Sequence, residues 1–143
     1  MARPPKIPNL LRPDQDTIYF LTICVQDRIP ILNNQAVWNA CLQTILEFDR
    51  WHVFAFILMP DHVHALVAPY DRDHSVSDFS RWFKVGVRKK VKADWRWQEG
   101  SFDRLLRHDE SASEKWEYMR HNPVRAGLVQ EASDWPYQIG LHQ

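Results

Sequence analysis

The sequence predicts an α+β domain: a ferredoxin-like antiparallel sheet of βαββαβ order, helices on one face, and a C-terminal helix carrying Tyr118. Three observations predict it. β-branched and aromatic runs alternate with segments whose apolar residues recur every three to four positions. The second and third of these runs are joined by only Met59-Pro60-Asp61. Two Ser-x-x-acid patterns, Ser75 to Asp78 and Ser111 to Glu114, stand where helices should begin.

Taken in order, residues 1–16 are rich in proline and charge and are expected to form an irregular arm. Thr17 to Gln26 (TIYFLTICVQ) reads as a strand. Asn33-Asn34 can open a helix to about Asp49, with Val37, Cys41, Leu42, Ile45 and Phe48 along one stripe. Trp51 to Leu58 (WHVFAFIL) is apolar enough for a central strand. Pro60 lacks an N–H and Asp61 favours local side-chain bonding, so a turn follows, and His62 to Ala68 (HVHALVA) should return antiparallel. The helix behind Ser75 should reach about Lys92, burying Phe79, Trp82, Phe83, Val87 and Val91. A short fourth strand is expected around Ser101 to Asp103, and the helix from Ser111 should stop near Asn122 because Pro123 follows. The tail, residues 130–143, lacks periodicity. All of this is expected to form one domain over residues 1–143.

Composition narrows the class. Of the 143 residues, 45% are hydrophobic and 25% charged, which excludes a disordered or collagen-like chain. Eighteen basic residues balance eighteen acidic ones, so a general polyanion coat is excluded while a local basic patch is not. Cys24 and Cys41 are the only cysteines, too few for a disulfide framework. No apolar run approaches the roughly 18 residues of a membrane span, and no signal-peptide pattern is present. These features predict a cytoplasmic protein with no membrane partner.

Three groups of residues carry chemistry. His62 and His64 are two positions apart on a strand, so they share a face within reach of one ion. Neutral imidazole ligates divalent transition metals, although the same spacing also suits two half-exposed strand histidines. Tyr118 and Asn122 are four apart on the expected helix, hence on one face. Asn122 offers an oxygen that would complete a site of two nitrogens and one oxygen. Tyr118 is a nucleophile only as phenolate, with an unperturbed pKa of about 10, and a nearby cation would favour that form. Equally, Tyr118 could pack on the core while Asn122 ends the helix. Finally, Arg81 to Trp97 holds seven basic residues against one acid. Arg81, Lys84, Arg88 and Lys92 fall away from the apolar stripe, and Trp95 and Trp97 extend beyond it. Cations bind phosphates and aromatic faces stack bases, so this helix is a candidate DNA surface or an ordinary solvated face. Lys89 and Arg125 join the DNA-binding candidates.

Together the motifs resemble a known family. Met59-Pro-Asp-His-Val-His64 is similar to the histidine–hydrophobic–histidine (HUH) motif of single-tyrosine transposases. Tyr118-Met-Arg-His-Asn-Pro-Val-Arg-Ala-Gly-Leu-Val129 resembles the hallmark of one branch, the REP-associated tyrosine transposases, and Phe102-Asp-Arg-Leu-Leu-Arg107 the segment before it. The likeness runs from about residue 17 to 137, with the motifs in matching order. It implies a DNA-nicking and joining enzyme acting on single-stranded palindromic repeat hairpins through a 5′-phosphotyrosine. His62, His64 and Asn122 would hold Mg²⁺ or Mn²⁺, and Tyr118 would be the nucleophile. Such a protein would act on nucleoid DNA as a monomer or homodimer. Two other classes stay open at this level: a hairpin-binding regulator without catalysis, and a hydrolase whose His pair activates water. An amidohydrolase barrel also uses a His-x-His pair, but 143 residues cannot close one.

Overall fold

A computed structural model describes residues 18–70, 75–106 and 111–140. The expected arm at 1–16, the start of the first strand at Thr17, Arg107 and the last three residues of the tail lie outside the described residues. Five strands form one antiparallel sheet: β1 (Tyr19–Cys24), β2 (Trp51–Leu58), β3 (His62–Pro69), β4 (Phe102–Leu105) and β5 (Gln138–Ile139). Their order is β4-β1-β3-β2-β5. The first four interleave two β-α-β units as a ferredoxin-like sandwich does, and β5 adds a strand on the β2 edge. The helices are α1 (Gln35–Leu46), α2 (Val76–Val91), α3 (Ala112–Arg120) and the single-turn α4 (Asn122–Arg125).

Strand alternation divides the apolar side chains between two faces. Leu21, Ile23, Phe56, Leu58, Val63, Ala65 and Val67 point to α1 and α2, where they meet Val37, Trp38, Cys41, Phe79, Phe83 and Val87. Phe56, Phe79 and Phe83 are almost wholly buried, and each such side chain contributes roughly 1.5–3 kcal/mol of transfer free energy. On the opposite face Ala55, Ile57, Met59 and Leu66 pack with Trp116 and Met119 of α3 and with Trp135. The register shift between Val53 and Ala55 interrupts the alternation, so that Phe54 and Ala55 both fall on the α3 side. The helices therefore cover both sides: α1 and α2 lie on one face, and the tyrosine-bearing α3 on the other.

Both serine caps form. Ser75 and Asp78 make the complete reciprocal capping box, while Ser111 accepts from the Glu114 amide. Several boundaries differ from expectation. Helix α1 ends at Leu46 rather than Asp49. Trp82 is 53% exposed, so it does not join the α2 stripe, and Ser80 is buried instead. Helix α3 stops at Arg120, with the His121 amide folding back to the Tyr118 and Met119 carbonyls, and Asn122 opens α4 with Pro123 behind it. The tail is more regular than its sequence implies. Trp135 donates its indole N–H to the Leu58 carbonyl at 3.0 Å, the Leu58 amide bonds the Tyr137 carbonyl, and β5 then pairs with Phe56 and Ile57.

Candidate active site

The His pair lies on the face that α3 only partly covers. In the β1–β3 register His62 stands opposite Cys24 and His64 opposite Thr22. Residues facing one another across a ladder share a side of the sheet, so the next strand adds Phe102 beside Thr22 and Arg104 beside Phe20. The imidazoles are 4.7 Å apart by ring centroid and nearly perpendicular.

Each ring has one nitrogen fixed by the protein. His62 Nδ1 lies 2.7 Å from the Asp61 carboxylate and 3.2 Å from an Arg28 guanidinium nitrogen. One nitrogen cannot donate to the carboxylate and accept from the guanidinium together, and the shorter, charge-assisted contact assigns the proton to Nδ1. Arg28 in turn pairs with Asp61 at 2.9 Å. Burial alone would raise the Asp61 carboxyl, but hydrogen bonds with His62 and Arg28 outweigh it and hold the group below its usual range. His64 Nδ1 is 2.8 Å from the Thr22 hydroxyl. Burial, reinforced by the neighbouring His62, pushes the His64 pKa down to about 3, against a hydrogen bond with the Leu21 backbone. Burial also lowers His62, opposed by Asp61. Both rings are therefore neutral at pH 7, and with Nδ1 held, Nε2 is the nitrogen each could present to a metal. The donor chemistry of the pair fits a divalent ion. No cluster of three His, Cys, Asp or Glu side chains suited to a metal occurs among the described residues.

Tyr118 approaches the same face from α3. Phe20 stacks on His64 at 5.0 Å and 23°. The Lys115 ammonium lies 4.2 Å from the Phe20 ring centroid and 5.0 Å from that of Tyr118. A run of contacts, His62–His64–Phe20–Lys115–Tyr118, thus joins the pair to the tyrosine within one chain. Tyr118 is 57% exposed, and the Arg125 guanidinium covers its ring at 4.1 Å. Arg125 also donates to the Tyr118 carbonyl at 2.7 Å and to the Asn122 side-chain oxygen. Asn122 therefore sits beside the tyrosine through Arg125, across the helix break, rather than one turn along a continuous helix.

The other basic candidates are dispersed. Lys84 donates to the Gln98 carbonyl at 2.9 Å and to the Gly100 carbonyl, and Arg88 to the Trp95 carbonyl at 2.7 Å. These two cations fasten the segment after α2 to the helix. Arg81 pairs with Asp78 at 2.6 Å. Lys89 and Lys92 are exposed. Sequence reasoning passed over Phe20, Thr22, Arg28 and Lys115, and read Asp61 only as a turn. The available signal was Lys115, one turn before Tyr118; the cross-strand partners depend on register.

The chain is similar to known proteins in both sequence and fold. The sequence pattern of the family described as "Transposase IS200 like" matches residues 15–103, which include both histidines and stop before Tyr118. A Haemophilus influenzae protein named as a REP-associated tyrosine transposase is 24% identical over 136 residues, covering 84% of this chain and 77% of that protein. The REP-associated tyrosine transposase of Escherichia coli is 26% identical over 92 residues, 62% of this chain, which spans 54% of its length. Among solved structures, a REP-associated tyrosine transposase bound to a REP hairpin superposes with a TM-score of 0.72 at 21% identity, covering 86% of this chain and 76% of that one. That likeness carries the fold, and the match over well above half of the sequence carries the family: this chain belongs to the IS200-like transposases.

Proposed function

We propose that the protein nicks and rejoins single-stranded DNA beside palindromic repeat hairpins, using Tyr118 as nucleophile. One observation carries the reading: two neutral, oriented imidazoles and an exposed tyrosine are linked through Phe20 and Lys115 on one sheet face of one chain. The hairpin substrate is proposed by analogy with the relatives above.

In the forward step the Tyr118 phenol oxygen attacks the scissile phosphorus as the P–O3′ bond breaks. The phenol proton passes to solvent, and the departing 3′-oxygen takes one up. The products are a 5′-phosphotyrosine and a free 3′-hydroxyl. Attack by that hydroxyl, or by one on another strand, reverses the step without a nucleotide energy source. His62 and His64 are proposed to hold Mg²⁺ or Mn²⁺, which when bound would neutralise charge on the phosphate oxygens; imidazole ligands favour Mn²⁺. Asn122 is proposed as the third ligand, a role that requires Arg125 to release its side-chain oxygen. Since one chain carries the His pair and the tyrosine, a monomer suffices for the site, and a homodimer would hold two. No described helix is long and apolar enough to cross a membrane, and we place the activity on nucleoid DNA in the cytoplasm.

The test is incubation with a library of hairpin-bearing single strands with randomised flanks and Mn²⁺, read as a covalent protein–DNA band. His62→Ala and His64→Ala are expected to abolish the band while retaining hairpin affinity. Wild-type cleavage rates in either variant would contradict the metal assignment.

A further inference from the structure

The row of side chains that contains His64 ends in an aromatic ring that nothing assigned so far uses. Across the sheet the row runs from Ile57 through His64 and Thr22 to Phe102, on the edge strand β4. Residues opposite one another in a ladder share a side of the sheet, and the Thr22 hydroxyl lies 2.8 Å from His64 Nδ1. Neighbours in such a row stand about 5 Å apart at Cβ, so the Phe102 Cβ is about 10 Å from that of His64. Helix α3 packs chiefly over β2 and β3, and beyond them Phe102 is 62% exposed. Alternation turns Asp103 to the opposite face, beside Leu21, so β4 presents no carboxylate on the His side. A polyanionic strand therefore meets an aromatic ring there and no acid from this strand.

A single exposed apolar side chain is ordinary on a protein surface, and exposure alone would carry nothing. What distinguishes Phe102 is its row, which joins it to a histidine of the pair through one intervening residue. We propose that Phe102 is a positioning residue, on whose ring an unpaired base flanking the nicked linkage stacks. The inference rests on the reading of the His pair and Tyr118 as a DNA-nicking site. The spacing lets a phosphate held at the His pair and a base lying on the Phe102 ring belong to neighbouring nucleotides. Every base has a flat π face, so the contact places the strand without reading its sequence. With one base fixed on β4, the adjoining phosphate is held in line for the tyrosine. The bland alternative is an exposed edge residue that touches no DNA.

The two are separated by removing the base and the ring in turn. Strands from the hairpin library that wild type nicks are remade as a series, each with one abasic nucleotide, at successive positions on both sides of the nicked linkage. Adduct formation with Mn²⁺ is followed at sub-saturating DNA. On the intact strand Phe102→Ala is expected to lower the rate about tenfold, the scale of one lost base–aromatic stack. At one flanking position the abasic strand should cost wild type a similar factor, yet cost the variant less than about twofold more, because the stack is already gone. At the other positions the two losses should multiply. Phe102→Trp should stay within about threefold of wild type, and Phe102→Leu, apolar but without a flat face, should fall with the Ala variant. Losses that multiply at every position, or no loss on the intact strand, overturn the assignment, as does full activity in Phe102→Leu. If wild type forms no adduct with any strand in the library, the nicking reading itself fails and this assignment with it. Adduct formation with losses that multiply everywhere overturns Phe102 alone.

Discussion

His64 gives the metal-free protein a measurable acid sensitivity. Its folded pKa of about 3 lies far below the 6.5 of an exposed imidazole. Between those values the unfolded chain binds a proton that the folded chain refuses. The histidine's contribution is thus fully present above pH 6.5 and is lost as pH falls towards 3. One pKa unit corresponds to 1.36 kcal/mol, so His64 alone destabilises the fold by about 2 kcal/mol at pH 5 and about 3.4 kcal/mol at pH 4. For a chain of this size the first figure is a fall of about 6 °C in melting temperature. The perturbation is His64→Gln, which removes the titration and keeps a polar group opposite Thr22. The assay is urea unfolding of EDTA-treated wild type and variant at half-unit steps from pH 7 to pH 4. The stability difference between the two should close by about 2 kcal/mol from pH 7 to pH 5. Parallel pH profiles would refute the reasoning, since they would mean that the ring is solvated enough to titrate normally in the folded state.

Two further expectations concern the scaffold. Lys84→Met and Arg88→Met should each cost about 1–3 kcal/mol, because they strip partners from the Gln98, Gly100 and Trp95 carbonyls, whereas the double change Lys89→Met, Lys92→Met should stay within about 0.5 kcal/mol. Equal losses in urea unfolding would show that the carbonyl contacts carry no weight, and an unchanged salt dependence of single-strand binding in the Lys89/Lys92 variant would remove those two from the DNA surface. Gly86→Ala would ordinarily strengthen a helix by up to about 1 kcal/mol, yet its Cβ would stand 2.7 Å from the Thr44 methyl where α1 and α2 meet, so it should destabilise instead. Thr44→Ser deletes that methyl, and in its background the same substitution should become neutral or favourable; a destabilisation of the same size in both backgrounds contradicts the packing argument.

The parts of the fold written in local pattern were legible. The β2 and β3 spans follow from their apolar runs, and the Ser75 box marks the start of α2. What local pattern cannot carry is the return of distant chain. Lys84 and Arg88 read as a phosphate-binding face until Lys92, in the left-handed conformation, turns the chain back and brings carbonyls to them. The tail seemed irregular because β5 has only two residues, and its pairing depends on Phe56 and Ile57, which lie some 80 positions earlier. At the candidate site, strand alternation placed the two histidines on one face, yet their partners Thr22 and Arg28 lie 42 and 34 residues away. The link from Tyr118 to Asn122 was read as one helix face. It runs instead across the break at His121, through the Arg125 guanidinium.

The central claim is that Tyr118 takes the DNA. The measurement that tests it most directly is peptide mass spectrometry of the covalent product after nuclease digestion, made on wild type and on Tyr118→Phe. The exposed ring keeps its shape in the variant, so stability should change by less than about 0.5 kcal/mol and hairpin binding should persist. The account predicts a nucleotide joined through its 5′-phosphate to Tyr118 in wild type, and no adduct or nick in the variant. A nucleotide on Tyr19, Tyr70 or Tyr137, or nicking that persists in the Phe variant, would contradict it.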